Sequence, residues 1–210
     1  GGLTSIPAVF VGSHIVSLTL SPSVSFSLNV SAFAHNAFLS SVHFSGSGSV
    51  SIEVRSFVGT TSLATVSLGN SVVSIGASAF EGVSALTTLT LGTGLTSIGA
   101  RAFYGTSIDA LSLTPSADCT LGADAFSSIV SSIATVELGG GLTSIPAVFV
   151  GSHIVSLVVG NSVLTIAASA FEDLSTMTSV TLGSGLTSIG DSAFKNTSVT
   201  AVSLGNSVVS

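Results

Sequence analysis

The sequence predicts a mainly-β repeat solenoid of about nine coils, each about 23 residues long, with parallel strands and short helical or 3₁₀ corners. Three observations predict it. One phenylalanine recurs per unit, at Phe10, Phe33, Phe57, Phe80, Phe103, Phe126, Phe149, Phe171 and Phe194, with gaps of 23, 24, 23, 23, 23, 23, 22 and 23 residues. Each interval carries the same spaced trio of apolar residues, and each closes on the same small-residue corner. A period held this closely across 210 residues leaves no room for two unrelated domains, so residues 1–210 read as a single solenoid.

The first element of each unit is a strand with apolar residues at positions one, four and six, as in Leu63, Val66 and Leu68, or Ile133, Val136 and Leu138. The last two alternate with small polar residues, the pattern of a half-buried strand. A turn follows, Gly69-Asn70-Ser71 or Gly92-Thr93-Gly94, built from residues that tolerate positive φ. A short extended segment comes next, Leu-Thr-Ser-Ile at 3–6, 95–98, 142–145 and 186–189. It leads into the corner, Ser78-Ala79-Phe80 or Ser192-Ala193-Phe194, which has room for one helical or 3₁₀ turn.

One such unit cannot bury its own apolar face. Stacking sets Leu on Leu, Ile on Ile and Phe on Phe, each worth roughly 1.5–3 kcal/mol of transfer free energy when buried. That gain offsets the ordering entropy only where neighbours cover both sides. At a strand spacing of about 4.8 Å, nine coils make a rod roughly 40 Å long. Three units are irregular: the step from strand end to the next apolar anchor is 8 residues from Leu20 to Leu28, Phe44 to Ile52 and Leu113 to Leu121, against 7 from Leu68 to Ile75. The extra residue is expected in a bulged turn.

The run Gly-Leu-Thr-Ser-Ile-Gly-x-x-Ala-Phe-x-Gly-x-Ser at 94–107 recurs in most units and resembles the BspA-type leucine-rich repeat. The resemblance extends over essentially the whole chain. It implies a leucine-rich repeat solenoid and a surface or secreted protein of the kind linked to adhesion and matrix binding in bacteria and protists. The chain departs from the usual family pattern in being poorer in Lys and Cys, and in its three irregular units.

Longer copies run through the array. Residues 2–18 are identical to 141–157, and 66–74 to 202–210. Neither end carries a charged or disulfide-bearing cap. An uncapped solenoid exposes an apolar cross-section and open strand edges, so the array is expected to continue as part of a longer one or to stack on another copy.

Charged residues make up only 6% of the chain, and Arg55, Arg101 and Lys195 are its only cations. So few cations cannot neutralise many phosphates, which excludes nucleic acid as an expected partner, and they cannot form a polybasic membrane patch. There is no apolar run of about 18 residues to serve as a transmembrane segment. No signal peptide is visible and the chain starts at Gly1, so a mature or excised piece of a longer protein is expected. Cys119 is the only cysteine and reads as a small buried apolar residue. The sequons at Asn29 and Asn196 are possible N-glycosylation sites, usable only in a secreted eukaryotic protein.

No catalytic residue, metal site or cofactor is expected. His14 and His153 occupy the same place in duplicated units; His35 and His43 share a unit without a carboxylate. Asp124 and Asp191 precede the corner, where a carboxylate can cap free N–H groups. The candidate functional surface is instead the outward hydroxyl face of the strands: Ser17, Thr19, Thr65, Ser67, Thr88, Thr90, Ser112, Thr135, Ser156, Ser179, Thr181 and Ser203. It lacks the Trp, Tyr and Arg anchors of tight protein interfaces. The expected role is a non-enzymatic, extracellular or cell-surface structural protein that self-associates end to end or laterally in an appendage, fibre or matrix. The alternatives are an adhesin for a host, matrix or polysaccharide ligand and, more remotely, an ice-binding surface, for which only Thr88 and Thr90 supply the Thr-x-Thr pattern.

Overall fold

A computed structural model describes residues 3–203. The alternation of apolar and small polar residues places one strand at the front of a coil and another at its back. At the front, β2 (Ser17–Leu20), β4 (Ser41–Phe44), β6 (Thr65–Ser67) and β8 (Thr88–Thr90) form one parallel sheet. A second comprises β10 (Ala110–Leu113), β12 (Ser132–Leu138), β14 (His153–Val159), β16 (Ser179–Thr181) and β18 (Ala201–Ser203). At the back, one sheet joins β1 (Ser5–Ile6), β3 (Phe26–Leu28), β5 (Val50–Ile52), β7 (Val72–Ile75), β9 (Ser97–Ile98) and β11 (Thr120–Leu121). The last holds β13 (Ser144–Ile145), β15 (Thr165–Ile166) and β17 (Ser188–Ile189).

Most of the periodic apolar residues enter one continuous core, with others such as Phe10, Leu18, Leu89 and Phe194 packed partly buried against it. In a single coil, Leu63, Val66 and Leu68 from the front, Val72 and Ile75 from the back and Phe80 from the corner are fully buried. The nine phenylalanine rings form an unbroken column, with centroids 5.0–5.8 Å apart and planes within 2–18° of parallel.

The corners are not helical, which corrects the expectation of helical or 3₁₀ turns. Among the described residues there is no helix of either kind. The reason lies in where the peptide N–H groups point. Ser78, Phe80 and Gly82 donate along the solenoid axis to the carbonyls of Ala100, Ala102 and Tyr104, at 2.9, 2.8 and 2.8 Å. Ala79, Glu81 and Val83 donate back within the corner, to Gly76, Ser78 and Phe80. Such alternation needs peptide flips, supplied by left-handed residues two places before and after the phenylalanine: Ser78 at φ 55° and Gly82 at φ 69°. Arg55, Arg101, Asp124, Ser169 and Ser192 take the same conformation. It costs roughly 1–2 kcal/mol for a residue with a side chain, offset by bonds to the next coil that a helix would forgo.

One irregular unit, from Phe44 to Ile52, is accommodated differently from the expected bulged turn. Across β5 and β7, Val50 pairs with Val72 but Ser51 pairs with Ser74. The unpaired residue is therefore Val73, on the shorter coil. The longer turn at 45–49 reaches the same core position with fewer strand residues, and the neighbour bulges to restore register.

Candidate functional site

The hydroxyl face is assembled by strand register. In the first front sheet Ser17, Ser41, Thr65 and Thr88 lie side by side, and Thr19, His43, Ser67 and Thr90 form a parallel row. In the second, Ala110, Thr135, Ser156, Ser179 and Ala201 make one row, and Ser112, Glu137, Val158, Thr181 and Ser203 the other. The twelve predicted residues are thus brought together. Nine are exposed, while Ser67, Ser156 and Ser179 are half-buried. One adjacent pair of hydroxyls is bonded, Ser179 Oγ donating to Ser156 Oγ at 2.9 Å, and Ser112 Oγ donates to Glu137 Oε2 at 3.0 Å. Glu137 and His43 are the only ionisable side chains in the rows.

The two front sheets part between β8 and β10. β8 and β10 are neighbours without strand pairing, and Leu89 and Leu91 remain half-buried. The result is a shallow depression of about 480 Å³ lined by Leu89, Leu91, Leu111, Ser112, Thr135 and Glu137, among others. Periodicity alone did not show this break.

Charge gathers on another edge, at the corners. Arg101 pairs with Glu81, its Nε 3.2 Å from Oε1, and its guanidinium lies 3.9 Å above the Tyr104 ring. Lys195 pairs with Glu172, and Asn196 Nδ2 donates to Asp173 Oδ1 at 2.8 Å. The signal in the sequence was a near-unit spacing between opposite charges, 20 and 23 residues. Burial raises the Glu81 pKa, but hydrogen bonds from Ser78 and Arg101 outweigh it and hold the carboxyl below its ordinary value. That stabilisation is present above the ordinary carboxylate pKa and fades as pH falls; at an exposed pair it is worth under about 1 kcal/mol.

Asp124 does not cap backbone N–H groups as expected. It adopts the left-handed conformation itself, and its carboxylate accepts the Ser127 hydroxyl at 3.0 Å. Asp191 contributes its main-chain carbonyl, to Ser169 N–H at 2.9 Å. The identical histidines have different surroundings: His14 stacks on Phe38 at 4.4 Å, whereas His153 opens β14. Among the described residues no three His, Cys, Asp or Glu side chains gather where a metal ion could be held. Asn29 is half-buried and Asn196 exposed.

Cys119 is buried at 4% exposure, and burial, helped by the Asp118 charge, pushes its thiol up to about 11. Against an ordinary value of 9.0, the thiolate fraction at neutral pH falls roughly 100-fold. Thiol labelling at pH 8 is therefore expected to be at least that much slower in the folded chain than in denaturant. Because the folded value is raised, the stability linked to this group is present below pH 9 and is lost as pH climbs towards 11.

The family model for the BspA-type leucine-rich repeat region matches residues 26–147 and 146–210, in six copies. The chain belongs to the BspA-type leucine-rich repeat family. Its coils share their fold with three solved structures. One is the pneumococcal vaccine antigen PcpA, at 23% identity and TM-score 0.55, covering 92% of this chain and 51% of that one. Another is a leucine-rich repeat protein from Bacteroides ovatus, at 18% identity and TM-score 0.57, covering 92% and 62%. The third, from Eubacterium ventriosum, shows 16% identity and TM-score 0.55, covering 93% and 68%. The chain thus spans about half the length of the PcpA chain. No curated protein matches it in sequence. As in these structures, the architecture is a stack of coils; no helix among the described residues is long and apolar enough to cross a membrane.

Proposed function

We propose that this BspA-type solenoid is a non-enzymatic structural repeat protein of the cell surface or extracellular space, which associates with further copies of itself in an appendage, fibre or matrix. The observation that carries the reading is the front face. Across both sheets its outward rows hold short Ser, Thr, Ala and Val side chains, with one carboxylate and one imidazole. Flat, regular and nearly uncharged, such a face lets a second sheet approach closely with little desolvation penalty or repulsion. The family resemblance supports the surface location, as does the fold shared with a pneumococcal vaccine antigen.

An adhesin is the second reading, favoured by the corner edge, where Arg101 and Tyr104 supply the side-chain types that anchor ligands. The two readings separate in solution. A structural protein is expected to form concentration-dependent oligomers without ligand in sedimentation velocity, weakened when Thr135 and Ser179 are both changed to Lys. A strictly monomeric chain with saturable ligand binding abolished by Arg101→Ala and Tyr104→Ala would instead establish the adhesin.

A further inference from the structure

One corner type differs from all the others, Ile-Pro-Ala-Val-Phe at 6–10 and again at 145–149. From the back-strand anchor to the phenylalanine the other coils take a step of five residues, as from Ile75 to Phe80 or Ile166 to Phe171, but from Ile145 to Phe149 the step is four. The proline and the lost residue each remove backbone bonds. In the regular coils, the residue after the back anchor donates its N–H to the preceding anchor's carbonyl: Gly99 to Ile75 O at 2.7 Å, Gly122 to Ile98 O at 2.8 Å and Ala167 to Ile145 O at 2.9 Å. At 146 that residue is proline, which has no N–H to give. There the back sheets part: β11 ends one and β13 begins the next. A side chain takes over part of the seam, Asp118 Oδ1 accepting the Thr143 N–H at 3.2 Å.

The other edge of the same coil loses bonds too. Regular corners send axial N–H bonds to the next coil: Arg101, Phe103 and Gly105 to Ala123, Ala125 and Ser127, and Ser169, Phe171 and Asp173 to Asp191, Ala193 and Lys195. Arg101 and Ser169 are left-handed, whereas Ala147, two places before Phe149, is not. Among the described residues, the corner from Pro146 to Gly151 sends no backbone N–H bond to the coil of Phe171. The copy at 6–12 behaves alike: Ala8 is not left-handed, and the one axial bond among the described residues runs from Gly12 to Ala34 O at 3.0 Å. The ring column carries the same mark. Phe149 lies 5.6 Å and 18° from Phe126, and 5.8 Å and 17° from Phe171, while all other neighbouring rings lie within 11° of parallel.

We infer that the Pro146 corner is a joint at which the rod bends. Its coil keeps its front strand, β14, paired with β12 and β16. It lacks back-strand pairing to the preceding coil and corner bonds to the following one. Bending therefore runs about the front sheet, which stays intact, while the back and corner edges part. A solenoid coil is held only by its two neighbours, so bonds missing at one coil are not made good by the rest of the array, and opening concentrates there. The joint goes beyond the structural role proposed above, since it belongs to the single chain whether or not copies associate.

Pairs of spin labels on the dilute chain, in a Cys119→Ala background, test it. Val30, Ala100, Ala123 and Asp191 are exposed, and each lies three places before its phenylalanine. Labels on Ala100→Cys and Asp191→Cys span four coil steps across the joint, and labels on Val30→Cys and Ala123→Cys span four steps before it. At about 4.8 Å per step, both pairs stand roughly 19 Å apart. In pulsed dipolar spectra the first pair is expected to give a distance distribution at least about twice as wide as the second. Replacing residues 146–149 by Gly-Ala-Ser-Ala-Phe, the run at 76–80, restores both the N–H and the missing residue, and is expected to narrow the first distribution to the width of the second. Pro146→Ala restores the N–H alone at unchanged length; it is expected to narrow the distribution in part, and it carries the test if the longer corner does not fold. Equal widths for the two pairs in the parent would overturn the joint, and so would a wide distribution that neither folded variant narrows.

Discussion

Replacing Phe103 by Asp is expected to cost more than about 4 kcal/mol and to break the solenoid at its middle. Phe103 is 0% exposed, with Phe80 at 5.1 Å and 2° on one side and Phe126 at 5.3 Å and 5° on the other. Truncation to Ala in such a site already costs about 3–5 kcal/mol through lost transfer energy and the cavity left behind. Asp adds a carboxylate with no cation or donor placed to meet it, so it must ionise unsolvated or stay protonated at a cost. Urea denaturation should therefore rank parent, Phe103→Ala and Phe103→Asp in falling stability. A Phe103→Asp variant that melted like the parent would mean the ring column is not what holds the coils together. Because each coil contacts only its neighbours, the damage should be local at first, with the central amides losing exchange protection before those near Leu39 or Leu174.

The second large effect is expected from Gly94→Ala. A Cβ built on Gly94 would lie 1.9 Å from the Asn70 carbonyl oxygen and 3.0 Å from its carbon, atoms of the preceding coil's backbone. Neither is the end of a flexible side chain, so the coils must move apart. Overpacking of this kind costs about 1–3 kcal/mol, and here the upper part of that range is expected. Gly82→Ala is the control. Gly82 has open space around its missing Cβ but sits at φ 69°, so only the left-handed penalty of about 1–2 kcal/mol applies. Thermal melts should place Gly94→Ala below Gly82→Ala. The reverse order would show that turn conformation, not the spacing between coils, limits stability.

Much of this architecture was legible in the sequence because the forces behind it are periodic. A phenylalanine every 22–24 residues and an apolar trio between them can be buried only by stacking. The outward Ser and Thr positions followed from strand alternation alone, and all twelve emerge exposed or half-buried. The corner was misread because Ala-Phe with small neighbours suits a helical turn locally. The competing bonds, Phe80 N–H to Ala102 O among them, come from a residue more than 20 positions away. The ion pair of Arg101 with Glu81 was missed for the same reason, being neighbourly across coils and not along the chain.

The sequence by itself determined the period, the buried spine of Phe, Leu and Ile and the hydroxyl face, since each depends only on which side of a strand or corner a residue occupies. Tertiary structure alone decided the left-handed corners, the bulge at Val73 and the parting of β8 from β10, because each is settled by competition between neighbouring coils for backbone partners and space.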